Sequence, residues 1–147
     1  MRSPFTVIAA SIALTGAGCT PAQDVRVYKG TAITVVMSGG NTNTVTSTNS
    51  VVTVLPGDLA SEWLVLDGQT VYVATASGSA LAFAGGQGYE DKYAPGTSSY
   101  RLEVKSGTGS LEAKMLSFTL MGDVSRVDAM GMPGTGSYEY QYSGERQ

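Results

Sequence analysis

Histidine is absent from this 147-residue chain, cysteine occurs once, and charged side chains make up only 14% of it. Without imidazole there is no Ser-His-Asp triad, no Cys-His pair and no histidine metal site. A single cysteine excludes zinc knuckles and an internal disulfide. Nine basic against twelve acidic side chains, a net charge of −3, argue against a nucleic-acid surface. No lysine has a serine three residues before it, and no glycine cluster runs into Lys-Ser or Lys-Thr, so neither a Ser-x-x-Lys nucleophile nor a phosphate loop is written here. What is abundant is small and polar: 19 glycines, 16 serines and 16 threonines. A surface built from hydroxyls and glycine turns suits short strands better than helices.

The amino terminus carries the most specific signal. Arg2 supplies one positive charge, and Phe5 to Leu14 is an apolar run of about ten residues, too short to span a bilayer that needs about 20. Thr15-Gly16-Ala17-Gly18 then leads into Cys19. This arrangement resembles the lipobox of bacterial lipoproteins, with Gly16 standing where that family most often has leucine. The resemblance implies that residues 1–18 are a signal peptide cut before Cys19. The Cys19 thiol would carry diacylglycerol and its new amino group an acyl chain such as palmitate. One acyl chain holds a protein only marginally at a membrane, whereas three make attachment effectively permanent. An ordinary signal peptide cut near Ala17 is the alternative. Removal of 18 residues leaves 129 with a net charge of −4, so anchoring rests on lipid and not on charge. Residues 19–23 are a short tether, and Thr20 after the cysteine favours the outer membrane over inner-membrane retention.

From Asp24 the chain reads as strands and turns. Val25, Val27, Ile33, Val35 and Met37 alternate with polar residues, the mark of a half-buried strand pair. Asn41 to Ser50 is almost entirely Asn, Thr and Ser, with Val45 its one apolar residue, and reads as a flexible linker or an exposed edge hairpin. Val51 to Leu55 is a further strand. Trp63 to Leu66 and Thr70 to Val73 form a hairpin across Asp67-Gly68, a pair that tolerates positive φ. Ser79 to Ala84 is a weaker strand, and Gly85 to Gly96 reads as a loop. Tyr100, Leu102 and Val104 alternate against Arg101, Glu103 and Lys105, and Ser106 to Gly109 reads as a turn. Leu111 to Leu120 reads as a strand, with a helical start over Ser110 to Leu116 as the alternative.

Glu90-Asp91 has the composition of half a carboxylate pair or a calcium loop, but its neighbours Gly88, Tyr89 and Lys92 fit a solvated loop better. Met37, Met115, Met121, Met130 and Met132 lack the histidine or tight clustering of a copper site and read as packing residues.

Met130 to Gly144, MGMPGTGSYEYQYSG, is similar to the Met-Pro-led signature of transferrin-binding-protein-like (Slam-dependent type) surface lipoproteins, through Met132, Pro133, Gly136, Tyr138 and Gly144. In that family a Met-Pro-led turn enters the first strand of an eight-stranded β-barrel, and the chain continues through the whole barrel. Here it stops at Gln147. The resemblance implies a surface lipoprotein that binds a host or environmental macromolecule. The residues themselves add that Tyr138, Tyr140 and Tyr142 share one strand face. Such a row is either packed against neighbouring strands or a candidate partner-binding platform.

The expectation is an all-β chain: an antiparallel sheet, sandwich or small barrel of about six to eight strands, with at most one short helix. Residues 24–147 form one domain, and the last strand lies inside the sheet of a complete domain. The functional expectation is a non-enzymatic, lipid-anchored outer-membrane protein, bound to the membrane through Cys19 and to a protein partner at the cell surface, without cofactor, metal or nucleic acid. The alternative is a structural or assembly lipoprotein docking to an envelope complex from the periplasmic side.

Overall fold

The computed structural model describes residues 24–68, 70–91 and 99–147; the expected signal peptide, Cys19 and the expected tether lie outside them. Nine strands follow in order: β1 (Arg26–Ser38), β2 (Asn41–Pro56), β3 (Glu62–Asp67), β4 (Thr70–Ser77), β5 (Ala80–Phe83), β6 (Gly88–Asp91), β7 (Ser99–Leu111), β8 (Met115–Val127) and β9 (Pro133–Arg146). Among the described residues there is no helix. All pairings are antiparallel. The sheet order β5-β4-β3-β2-β1-β9-β8-β7-β6 is closed by an additional β5–β7 pairing, so eight strands form a ring and β6 extends one side of it.

Closure follows from alternation. Alternate residues fill the ring: Tyr28 and Ala32, Val52 and Val54, Val65, Tyr72 and Ala74, Leu81 and Phe83, Val104 and, past the bulge that switches parity in β7, Leu111, then Leu116, Phe118, Leu120 and Val124, Tyr138 and Tyr142. Their neighbours in sequence, Lys29, Arg101, Asp123 and Glu145 among them, face outward and are exposed. The interior is mainly apolar and the exterior mainly polar, whereas a membrane-spanning barrel turns its apolar band toward lipid.

Glycine makes this crowded interior possible. A Cβ on Gly107 would sit 2.5 Å from Leu120 and 3.0 Å from Phe83, and one on Gly109 would sit 2.6 Å from Phe118. Both are strand residues of β7, where the sequence suggested a turn over Ser106 to Gly109. They are glycines because a Cβ would meet Leu120, the Cβ of Phe83 and the Phe118 backbone, not because the chain reverses. Phe118 fills that space, with ring centroids 5.2 Å from Phe83 and 5.4 Å from Tyr142.

Other local expectations shift for similar reasons. The alternation of β1 is real, but the odd-numbered apolar set faces outward while Tyr28 and Ala32 fill the ring. The small Ala32 stands opposite the large Tyr142. Asn41 to Ser50 is not a linker but the exposed edge arm of the β1–β2 hairpin, paired along its length with β1 and bulged at Asn49, whose φ is 63°. The hairpin turn lies one residue later than expected, since Asp67 pairs with Thr70 and Gly68, at φ 59°, is the first residue of the turn. Leu111 closes β7, and the chain reverses over Glu112 to Lys114, where the Glu112 amide donates to Met115 O at 2.9 Å, so no helix forms over Ser110 to Leu116. Within the expected loop 85–96, Gly88–Asp91 pairs with β7; residues 92–98 lie outside the described set.

Candidate binding site in the barrel wall

The strands of the ring differ greatly in length. β1, β2, β7, β8 and β9 have 13 to 16 residues each, whereas β3, β4 and β5 have 6, 8 and 4. β3 pairs with β2 only over Val52 to Pro56, and the β3–β4 turn at Gly68 ends that part of the wall. Above it, the edge of β2 from Asn41 to Val51 has no strand beside it among the described residues, and β6 bounds the far side through its pairing with β7. Among the described residues the barrel therefore has a closed lower half and a window in its upper wall.

Behind the window lies a cavity of about 430 Å³ lined by Thr34, Val36, Ser38, Asn43, Val45, Tyr100, Leu102, Val124 and Arg126. Its walls are apolar at Val36, Val45, Leu102 and Val124. Its polar groups are hydroxyls, one amide and one guanidinium. Arg126 is exposed and forms no ion pair among the described residues. A concave, mainly apolar space with few polar groups is the usual form of a binding site. Val45 is 56% exposed despite being apolar, because its strand has no neighbour on that side among the described residues.

The three tyrosines of β9 lie inside the ring rather than on an outer face. Tyr138 is 5% and Tyr142 2% exposed, and Tyr140 is partly buried against the core. Tyr138 stands level with Val36 and Gly122 of the adjoining strands, beside the cavity. The Tyr140 hydroxyl donates to Asp67 Oδ2 across the barrel, and the Tyr142 hydroxyl donates to Ser50 O at 3.4 Å. Burial pushes Tyr72 and Tyr142 up to about 12, with the Asp67 carboxylate adding to each shift. Tyr138 is raised too, by burial and then by Tyr72 and Glu103. Tyr140 is raised by burial and then by its hydrogen bond to Asp67. Three of these phenols, Tyr72, Tyr140 and Tyr142, gather around the Asp67 carboxylate, with Tyr138 beside Tyr72, as a polar layer beneath the window.

Of the candidate site residues, Cys19 lies outside the described set and the tyrosines pack the interior. The cavity residues were visible in the sequence only as fragments: Tyr100 and Leu102 as one face of a strand, and Val45 as the lone apolar residue of a polar run. Asp67 carried the signal of a turn residue, and nothing in the sequence joined it to Tyr140, 73 positions away. Glu90 and Asp91 fall on β6, and among the described residues no group of three acidic or cysteine side chains comes together.

The architecture defines the class, a small closed antiparallel barrel with a side window. No family model, curated protein or solved structure matches this chain.

Proposed function

We propose that this chain is a non-enzymatic, lipid-anchored outer-membrane protein that binds a macromolecular partner at the cell surface. One observation carries the reading. Asp24, five residues after Cys19, enters β1 at the closed end of the barrel, where the Asp24 carboxylate pairs with Arg26 and Arg146. β1 then runs about 40 Å at the rise of an extended strand before it turns at Gly39-Gly40. An anchor at Cys19 therefore holds the closed end near the membrane and presents the window and hairpin tips away from it.

Three further features support the reading. The tip end exposes Met37, Val127, Met130 and Met132, the last two at 86% and 61%, and flexible methionine suits an adaptable contact surface. The Met132-Pro133 step leads into a strand of an eight-stranded ring, in keeping with the transferrin-binding-protein-like pattern. There that strand comes first; here it is last in the chain but lies beside the first in the ring. Among the described residues the cavity lining has no carboxylate or imidazole to act as a general base, which favours binding over catalysis.

Metabolic labelling with a lipid precursor, followed by protease treatment of intact cells, tests the proposal. Cys19→Ser should abolish labelling and release the protein from membranes, and protease should remove the wild-type domain from unbroken cells. A labelled protein that stays protected until the outer membrane is opened would instead place the domain on the periplasmic side, as the assembly reading requires. An unlabelled wild type would end the lipoprotein assignment.

A further inference from the structure

We propose that the free edge of β2 from Asn41 to Thr48 accepts an extended segment of a partner protein as an additional strand, with an apolar side chain of that segment entering the cavity beside Val45. The proposal rests on the partner-binding reading above and names how the partner is held.

The first observation is the edge itself. Over these eight residues β2 is hydrogen-bonded to β1 on one side and to nothing on the other among the described residues. An unpaired row of amides and carbonyls is a template for a further strand. Exposed edges are normally blunted by charge, by proline or by a bulge within the exposed stretch. Here the 28 residues from Gly30 to Gly57 contain no charged side chain, the proline comes only at Pro56, and the bulge at Asn49 lies beyond the stretch. Four of the eight residues are threonine, which favours the extended conformation.

The second observation is the cavity behind this edge. In a strand laid against β2, alternate side chains point inward at the level of Asn43 and Val45, both of which line the cavity. Val36, Leu102 and Val124 complete an apolar lining, so the inward residue that fits is aliphatic. Val45 is the one apolar residue of the polar run, and it stands at this position.

A second copy of this chain is the competing occupant. Antiparallel pairing of two β2 edges about a twofold axis reverses one barrel relative to the other. The Asp24 ends of the two barrels would then point in opposite directions, which two copies anchored through Cys19 in one membrane cannot satisfy. A segment from another protein carries no such constraint.

The test uses the full lipoprotein extracted in detergent and a capped heptapeptide of alternating threonine and leucine, followed by amide hydrogen exchange and by fluorescence anisotropy of the labelled peptide. The peptide should slow exchange across residues 41–48 by about tenfold or more, with no comparable change in β8 or β9. A peptide with proline in place of each threonine should not bind, since it lacks the donors a ladder needs. Val45→Asp and Thr46→Lys, both at exposed positions, should each weaken peptide binding by about tenfold or more, the second by charging the edge. Peptide binding without protection of 41–48, or binding indifferent to both substitutions, would overturn the proposal. So would protection already present without peptide together with a dimer in sedimentation, which would assign the edge to a second copy. Peptide binding in detergent is independent of lipid labelling and protease access in cells, so failure of this proposal and failure of the surface-lipoprotein reading are separate results.

Discussion

The residues that set the character of this barrel are its buried phenols. Tyr72, Tyr140 and Tyr142 gather around Asp67, Tyr138 stands beside Tyr72, and each is held in its protonated form. Tyr72 and Tyr142 rise from an ordinary value of 10.0 to about 12, so folding favours the neutral phenol. Their contribution is whole below pH 10 and is lost as pH rises through about 12. Alkaline titration should therefore show Tyr72 and Tyr142 ionising only at about pH 12, in step with loss of the β-sheet circular dichroism. Ionisation of these two at about pH 10 with the sheet intact would contradict the packing. Tyr140→Phe removes the hydroxyl donated to Asp67 and leaves that carboxylate without its partner across the barrel. It should cost about 1–3 kcal/mol in denaturant unfolding. Glycine is equally position-specific. A Cβ on Gly30 would lie 1.9 Å from Ser143 O and 2.4 Å from Gly144 Cα, whereas Gly134 has nothing within 4 Å and an ordinary φ. Gly30→Ala should lower stability by more than about 2 kcal/mol, and Gly134→Ala should stay within about 0.5. Equal effects would show that β1 and β9 do not approach as closely as described.

At the scale of elements, the wall closes where strands alone do not reach. β5 ends at Phe83 and β6 begins at Gly88, and the Gln87 side chain fills the break between them. Its Oε1 accepts from the Val73 amide, while its Nε2 donates to Val73 O at 3.2 Å and to Ala84 O at 2.9 Å. A side-chain amide thus takes the place of a peptide group in the ladder beside β4. Gln87→Ala should cost about 1–3 kcal/mol and speed amide exchange at Val73 more than in β8. Unchanged exchange at Val73 would show that the bridge is not needed to close the wall. The last strand is still more committed. β9 pairs with β1 on one side and β8 on the other, at 11 and 13 register positions, and it buries Tyr138 and Tyr142. Deleting residues 136–147 would open the ring and expose Phe118 and Leu120. The shortened chain should show no cooperative unfolding transition, and an unchanged thermal midpoint would argue against this closure.

For the molecule as a whole, unequal strand lengths produce two ends with different properties. The closed end holds Tyr28 and the Arg26 guanidinium 4.6 Å from the Trp63 ring, and the chain terminus returns to it as the Gln147 amide donates to Val27 O at 2.9 Å. The open end carries the window and the hairpin tips. The β8–β9 tip is stabilised only locally: the Asp128 carboxylate accepts from the Met130 and Met132 amides at 2.9 Å each, and Gly131 takes φ 82°. This asymmetry gives the proposed anchor its orientation and separates the part that maintains the fold from the part available for contact.

Much of the fold was legible in the chain because strand alternation is a local property. Period-two runs in β1, β3, β4 and β7 and the glycine at position 68 announce antiparallel strands without any knowledge of their neighbours. Histidine-free, charge-poor composition likewise limits the chemistry, because a side chain the sequence lacks is lacking in every fold it could adopt. Which face of β1 points inward was not legible, because both faces carry apolar residues and the choice depends on the tyrosines of a strand at the far end of the sequence. Gly107 and Gly109 read as a turn because local sequence records only that a side chain is missing, not what occupies its place. The window, the cavity behind Val45 and the meeting of Tyr140 with Asp67 arise from ring closure and unequal strand lengths. Those are properties of pairing between distant segments, and only the tertiary structure decides them.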